Sequence, residues 1–470
     1  MDGIGWFVAE DYDVARFVLQ RGIALVYLVA FVSALRQFPV LLGERGLLPV
    51  RPHSGRVPFR AVPTLFHRHY SDRMLWVVAW SGMVLAASVV AGLAQRGPWW
   101  VPLLVFGAMY VLYLSIVNIG GIFYGFGWES LLLEAGFLAA FLGSDQTGSP
   151  IVTLLALKWL LFRVEFGAGM IKIRGDAVWR DLTALYYHHE TQPMPGPLSW
   201  FFHHLPAPVH KVEVAANHVV QLGVPWLLFF PQPIATWAAG AVIVTQLWLV
   251  ASGNFAWLNW LTMLLAFAAV SDSVLTGEQA AGASGPVGLI VAVCAMGLAV
   301  LWLSRRPARN LLSRRQLMNA SFNGWHLVGA YGAFGSITRR RQEIVVEGTA
   351  DPDPAEADWR EYGFAGKPGG VRRWPRQWAP YHLRLDWGMW FLALGSRAQL
   401  SWFEPFLVRL LEADPGTLRL LAEDPFDGDR PVWVRARIFD YRYSTLRELR
   451  TEKVWWVRTE AGTLVDPVRL

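Results

Sequence analysis

Apolar stretches long enough to cross a membrane fill the chain before residue 305, and they constrain the fold more than any other feature. Their windows cover residues 17–38, 74–95, 99–117, 127–143, 150–171, 214–230, 233–252, 255–270 and 285–303. A helix needs about 20 apolar residues to cross a hydrocarbon core of about 30 Å. The pattern therefore predicts an α-helical multi-pass membrane bundle of about eight to nine segments, with the lipid bilayer as its partner.

Composition supports a membrane location and excludes several other classes. Hydrophobic residues make up 54% of the chain and charged residues 17%, which is too apolar for an ordinary soluble protein. The net charge is +6, but the basic residues form no stripe with interleaved aromatic residues, so we expect no nucleic-acid partner. Cys294 is the single cysteine, which excludes an intramolecular disulfide. Arginine outnumbers lysine, which indicates a bacterial genome and hence an integral protein of the plasma membrane.

The chain after residue 319 has the pattern of a folded domain outside the membrane. Segments 343–348, 432–437 and 453–457 predict strands, whereas 386–395 and 401–422 predict helices, the second interrupted at 414–416. We therefore predict a transmembrane helical domain over residues 1–304 and a soluble C-terminal α+β domain with a β-rich core over residues 319–470. A connector over residues 174–213 is expected at the membrane interface.

Charge at the two ends of the bundle bears on orientation. Acidic residues such as Asp2 and Glu10 stand where a signal peptide would be positive, so no cleaved export signal is expected. Arginine-rich segments at 36–73, which include Arg56, and at 305–315 favour the cytoplasmic side. This bias predicts that the C-terminal domain lies inside the cell.

Charged side chains interrupt one membrane segment, residues 151–173. They are Lys158, Arg163, Glu165 and Lys172. Each costs about 2.5–3.5 kcal/mol in lipid unless it is paired or reaches the interface. Glu129 and Glu134 in the preceding segment are the expected counter-charges of Lys158 and Arg163. The charges form either a structural ion-pair network or a polar cavity for a ligand or partner, with snorkelling as a third explanation for Lys172.

The connector and nearby helix ends supply the other candidate residues. The predicted binding cavity comprises Trp128, Glu129, Glu134, Arg163, Arg174, Asp176, Trp179, Arg180, Asp181, His188, Glu190, Gln192, His218, Asn254 and Asn259. Histidine beside glutamate suits a proton relay or a metal site. No recognisable metal-ligand spacing is present, so no metal site is predicted. The alternative interpretation of the connector is an interface loop stiffened by prolines. Interhelical hydrogen bonding is the alternative for the polar residues of the later helices.

Residues 380–387 of the C-terminal domain combine titratable and aromatic side chains. Tyr381, His382, Arg384, Asp386 and Trp387 are the candidates for a client interface. A buried structural turn is the alternative interpretation.

These segments resemble the lipase maturation factor family. The motifs are GERGLLP at 43–49, FGWES at 126–130, IKIRGD at 171–176, ETQPMP at 190–195, LNWLTM at 258–263 and YGAFGSIT at 331–338. The resemblance implies a non-enzymatic membrane protein that helps secreted clients such as lipases to fold and assemble. Animal members lie in the endoplasmic reticulum membrane, with the C-terminal domain on the lumenal side. That side conflicts with the one favoured by the arginine bias.

A more distant resemblance concerns Ala168-Gly169, Lys172, Asp176 and Trp179. This stretch is similar to the segment of the vitamin K-dependent gamma-glutamyl carboxylase that holds its lysine base. It implies an alternative function as a carboxylase-related membrane enzyme with Lys172 as general base. A lipid or quinone-like ligand belongs to that alternative, whereas a maturation factor is expected to need no cofactor.

Overall fold

The computed structural model describes residues 7–9, 11–51, 57–277 and 285–470. Asp2 and Glu10 of the predicted acidic N-terminus, and Arg56 of the arginine-rich loop, lie outside these residues.

Helices dominate the chain up to residue 312. In chain order the elements are β1 (Val8–Ala9), α1 (Asp13–Leu41), α2 (Asp72–Val90), α3 (Trp100–Ile119), α4 (Gly127–Ala139), β2 (Ser149–Pro150), α5 (Ile151–Arg174), α6 (Ala177–Arg180), α7 (Leu185–Thr191), α8 (Ser199–His203), α9 (Ala207–His218), α10 (Val224–Leu227), α11 (Ile234–Ser252), α12 (Leu258–Ala266), α13 (Asp272–Thr276), α14 (Val287–Leu303) and α15 (Arg305–Leu312). A π-helical turn, Val219–Gly223, joins α9 to α10.

Within the described residues, five helical segments are long and apolar enough to cross a membrane. They are α1, α2, α3, α11 and the continuous segment Val287–Leu312. This confirms a helical membrane region, but it does not confirm the predicted count of eight to nine segments. The window at 127–143 gives only the 13-residue α4, and the window at 255–270 gives the nine-residue α12 followed by a 3-10 turn.

Helix α4 departs from the expected membrane segment for a physical reason. Its side chains are buried nearly all round, and Glu129 and Glu134 are 0% and 1% exposed. Carboxylates of this kind must lie where protein groups, rather than lipid, can pair with them. Helix α4 is therefore an interior helix that contacts α1, α3, α5 and α12.

The C-terminal region is built on an antiparallel sheet. Its elements are β3 (Arg341–Thr349), β4 (Arg360–Glu361), α16 (Arg384–Ala393), α17 (Leu400–Leu411), α18 (Pro415–Leu418), β5 (Trp433–Tyr443), α19 (Leu446–Glu452) and β6 (Trp456–Val468). The strand order is β4-β3-β5-β6, and β3 pairs with β5 from Arg341 opposite Tyr441 to Thr349 opposite Trp433. The predicted break at 414–416 is confirmed, because the Asp414 side chain caps α18 at 2.7 Å from Thr417 N.

The apolar core runs without a break from the membrane helices into the C-terminal region. Aromatic rings cross the boundary: Phe123 lies 5.7 Å from Trp402, and Trp128 lies 4.8 Å from Trp387, between ring centroids. The C-terminal sheet and its helices therefore pack directly on the helical region.

Candidate functional site

Arg163 and Glu134 form a buried ion pair between α5 and α4. Each side chain is 1% exposed, and both guanidinium terminal nitrogens reach the carboxylate. Arg163 Nη1 also donates to the Gly329 carbonyl at 2.7 Å, while the Tyr331 hydroxyl donates to Glu134 at 2.7 Å. The predicted pairing is confirmed, and it includes a third segment from the C-terminal side of the chain.

Glu129 has a different partner from the one expected. The predicted pairing with Lys158 is wrong, because Glu129 Oε1 accepts from Arg384 Nη1 at 2.8 Å and its other oxygen accepts from the Tyr113 hydroxyl. Arg384 belongs to the C-terminal region and is 0% exposed. Lys158 instead lies 5.7 Å from the centre of the Tyr12 ring. Sequence reasoning missed this because it searched for counter-charges only among membrane segments.

Arg384 is held from several sides. Its Nη1 also donates to the Phe123 carbonyl at 2.7 Å, and its guanidinium carbon lies 3.4 Å from the centre of the Tyr124 ring. The neighbouring His382 accepts at Nδ1 from Trp128 Nε1 at 3.3 Å. An arginine that pairs with a carboxylate and stacks on an aromatic face is suited to burial. This cluster joins α3, α4 and α16.

Lys172 lies in a second polar cluster near the end of α5. Its Nζ donates to Asn217 Oδ1 at 2.9 Å and to Gln221 Oε1 at 3.0 Å, and it lies 4.6 Å from the Trp179 ring centre. His218 contacts the Trp179 carbonyl through Nε2 at 3.0 Å. Gln221 belongs to the π-helical turn, a distortion that is frequent at functional sites. The lysine is therefore held by amide oxygens rather than by a carboxylate.

Glu165 continues this polar path toward α12. Its Oε1 accepts from Gln246 Nε2 at 2.7 Å, and Gln246 Oε1 accepts from Asn259 Nδ2 at 2.6 Å. All three side chains are buried. The later polar residues thus act as interhelical hydrogen-bond partners, as the alternative interpretation of the sequence proposed.

Glycines on α5 and at the residue that follows it let neighbouring groups approach closely. A Cβ at Gly167 would lie 2.3 Å from the Tyr331 carbonyl oxygen, and one at Gly175 would lie 2.1 Å from the Gly335 carbonyl oxygen. A Cβ at Gly169 would lie 2.7 Å from Leu222 of the π-helical turn. The groups that approach these glycines all belong to this chain.

The first half of the connector is anchored to residues 316–339. Asp176 caps α6 and binds Arg339, and the Arg339 guanidinium holds the pKa of that carboxyl well below its usual range. Arg174 donates to Gln316 at 2.9 Å, whereas Arg180 donates to the Ile173 carbonyl at 2.8 Å. Asp181 is exposed at the end of α6. These residues hold the turn that follows α5.

The second half of the connector is fastened to the sheet. Arg341 at the start of β3 donates to the carbonyl oxygens of Glu190, Gln192 and Pro193, and its guanidinium pairs with Glu343 at 2.6 Å. Glu190 Oε2 accepts from the Tyr443 backbone N–H at 2.8 Å, and burial raises the pKa of Glu190. His188 is buried against the Phe334 ring.

Gln192 and Asn254 extend this attachment to α11 and to the segment before residue 380. Gln192 Nε2 donates to the Ser252 carbonyl at 2.8 Å, and Asn254 Oδ1 accepts from the Trp378 N–H at 2.7 Å. Single amide side chains therefore link segments that are distant in sequence.

Comparison with known proteins bears on both halves of this architecture. A family model described as the lipase maturation factor transmembrane domain matches residues 14–277, and one described as the lipase maturation factor C-terminal domain matches residues 327–466. The chain belongs to the lipase maturation factor family.

Individual members of the lipase maturation factor family match almost the whole chain. Lipase maturation factor 1 of Bos taurus is 38% identical over 98% of this chain and 90% of its own length, and that of Homo sapiens is 37% identical over 97% and 88%. Lipase maturation factor 2 of Gallus gallus is 28% identical over 94% and 80%. No solved structure matches the chain. The comparisons do not support the resemblance to the carboxylase.

The predicted cavity of this family member divides into three groups of contacts. Glu129, Glu134 and Arg163 form the buried ion pairs, and Trp128 packs beside them on His382. Trp179, His218 and Asn259 belong to the polar path along α5 with the predicted base Lys172. The remaining residues hold the connector, except Asp181, which is exposed. Sequence reasoning missed Tyr113, Gln246, Tyr331 and Arg341. The sequence does not show which distant segments these polar side chains contact, so it gave no reason to select them.

Four of the five residues predicted to contact a client are buried, and the fifth, Tyr381, is partly buried. His382, Arg384, Asp386 and Trp387 are at most 3% exposed, and Tyr381 lies within hydrogen-bond distance of Gln37 in α1. The Asp386 carboxylate accepts from two backbone N–H groups at 2.6 and 3.0 Å. The alternative interpretation of this segment as a buried structural turn therefore fits the structure. A side chain enclosed by its own chain leaves no surface for a separate protein.

Proposed function

We propose that this chain is an integral membrane maturation factor that assists the folding and assembly of secreted client proteins such as lipases. The observation that carries the proposal is the match to lipase maturation factors over both the membrane region and the C-terminal region. A match over almost the whole chain means that the arrangement of both regions, and not one module alone, is shared with proteins that bear this name.

The internal contacts support a scaffold rather than a reaction centre. Arg163 and Glu129 each have a buried partner of opposite charge, and Lys172 has two amide oxygens. Charges that satisfy one another hold segments in place. We infer that these groups position the C-terminal region for contact with a client.

The side of the membrane on which the C-terminal domain lies follows from the compartment in which the client folds. A secreted protein folds after export, so a factor that acts on it must present its client-binding surface on the exported side. We therefore place the C-terminal domain, residues 319–470, outside the cytoplasm and the protein in a bacterial plasma membrane. This placement opposes the arginine bias, and cysteine labelling of exposed positions in intact cells decides between them.

Co-expression with a secreted dimeric lipase tests the proposed function. We expect the wild-type chain to raise the lipase activity per mass of secreted lipase. Arg384→Met should abolish the gain, because it removes the partner of buried Glu129. Arg372→Met, at an exposed arginine of the same region, is the matched control and should behave as wild type. Equal specific activity of the lipase with and without the chain would exclude the function.

A further inference from the structure

Two histidines and a glutamate that the maturation role does not use meet beside the connector. His189 lies on α7, and His210 and Glu213 lie three residues apart on α9. One donor atom from each side chain lies within 4.8 Å of the other two. His189 is 2% exposed and His210 3%. Spacing along the chain does not predict this group, because its members come from two helices.

His189 is buried without a polar partner. Among the described residues, neither of its ring nitrogens has a hydrogen-bond partner. A buried imidazole nitrogen left without a partner costs free energy, so such groups normally find a donor, an acceptor or a metal. A metal ion bound by one of these nitrogens would give His189 the partner that it lacks.

His210 faces oxygen atoms on both sides of its ring. Nδ1 lies 3.0 Å from Glu213 Oε2, and Nε2 lies 3.3 Å from the His203 carbonyl oxygen. A neutral imidazole carries one N–H, so one nitrogen would point its lone pair at an oxygen. Either a second ring proton, which makes an imidazolium paired with Glu213, or a metal cation between Nδ1 and Oε2 removes this repulsion, and a metal would also supply a partner for His189. Nε2–H then donates to the carbonyl, the usual support of a metal-binding histidine.

The Glu213 carboxylate is already oriented for such a role. Its Oε1 accepts a hydrogen bond from Trp248 Nε1 at 2.8 Å, which leaves Oε2 directed at His210. A metal-binding carboxylate is typically fixed in this way by a second hydrogen bond. The indole of α11 therefore positions the glutamate of α9.

We propose that His189, His210 and Glu213 form a binding site for a divalent transition metal of the Zn²⁺ class. Two imidazoles and one carboxylate are a donor set that Zn²⁺ accepts, with water as the fourth ligand. Donor atoms around tetrahedral Zn²⁺ lie about 3.3 Å apart, so the group must contract by about 1.5 Å, within reach of side-chain rotation. The ion ties α7 to α9.

Zn²⁺ titration of the full-length protein in detergent, after removal of metal by a chelator, tests the site. We expect one Zn²⁺ per wild-type chain in competition with a chromophoric chelator. His189→Asn and His210→Asn should each weaken binding at least about 100-fold, and Trp248→Phe about 10-fold through lost orientation of Glu213. His204→Asn, at a neighbouring exposed histidine, is the matched control and should retain wild-type affinity.

Two further measurements keep the test decisive. X-ray absorption of the Zn²⁺-loaded wild type should give imidazole and carboxylate ligands at about 2.0–2.1 Å. This measurement uses no variant, so it remains decisive even if a variant fails to fold. The size-exclusion elution volume and the thermal melting curve of each variant, measured without metal, identify any variant that is misfolded. Failure of the wild type to bind stoichiometric Zn²⁺, or unchanged affinity in a folded His189→Asn/His210→Asn double variant, would overturn the proposal.

Discussion

The buried pair of Glu129 and Arg384 gives the sharpest test of how the C-terminal region is attached. We consider Glu129→Gln, which keeps the shape of the side chain, Arg384→Met, which keeps much of its length, and the double variant. The two groups are 0% exposed and meet at 2.8 Å. Each single change leaves the other charge buried without its partner.

The expected magnitude follows from that burial. Removal of one partner of a buried pair costs about 3–5 kcal/mol in the free energy of unfolding. The double variant strands no charge, so it should cost about 2–3 kcal/mol less than the sum of the two single variants. Loss of the Arg384 contacts with Phe123 and Tyr124 occurs in both Arg384 variants and cancels from this difference.

Guanidinium unfolding in detergent, followed by tryptophan fluorescence, measures the coupling. The matched control is the pair of Arg442 and Glu448, which has a similar contact of 2.7 Å but an arginine side chain that is 50% exposed. Its cycle should give a coupling below about 1 kcal/mol, because water screens the exposed arginine. Additive costs at Glu129 and Arg384 would refute the reasoning, since they would mean that the charges do not interact in the folded protein.

Three other expectations come from the same contacts. Arg341→Met should cost about 3–5 kcal/mol, because it frees three carbonyl oxygens of the connector and removes one of the two cationic partners of buried Glu343, which keeps Lys367 at 2.9 Å; a cost equal to that of an exposed arginine in the same unfolding assay would count against it. Burial lowers the pKa of His326 to about 4, so its contribution of about 3 kcal/mol should be complete above pH 6.5 and be lost as the pH falls toward 4. His326→Gln should flatten that pH dependence of the unfolding free energy, and an unchanged slope would contradict it. Lys172→Met should lower stability by about 1–3 kcal/mol while the folded fraction still raises lipase activity; complete loss of that activity in folded protein would argue against a scaffold role.

Periodicity and charge predicted a large part of the fold. The strand at 343–348, the helix at 386–395 and the break at 414–416 follow from local patterns, and the structure has β3, α16 and the capped α18 there. Membrane segments were harder to count. Windows of apolar residues do not distinguish a helix in lipid from an interior helix such as α4, since both exclude water.

The candidate site was predictable only where two charges lay in neighbouring segments. The pairing of Glu134 with Arg163 followed from their proximity in the chain. The pairing of Glu129 with Arg384 did not, because the two residues are brought together only when the C-terminal region packs on the membrane helices. A sequence shows which charges need partners, but it does not show which distant segment supplies them.

Hydrogen–deuterium exchange on the full chain in lipid nanodiscs measures most directly whether the membrane helices and the C-terminal region form one folded unit. Amides of residues 387–393 in α16 should exchange as slowly as those of α4, and Arg384→Met should accelerate exchange in both segments together. Rapid exchange at 387–393 in the wild type, with α4 protected, would contradict the account.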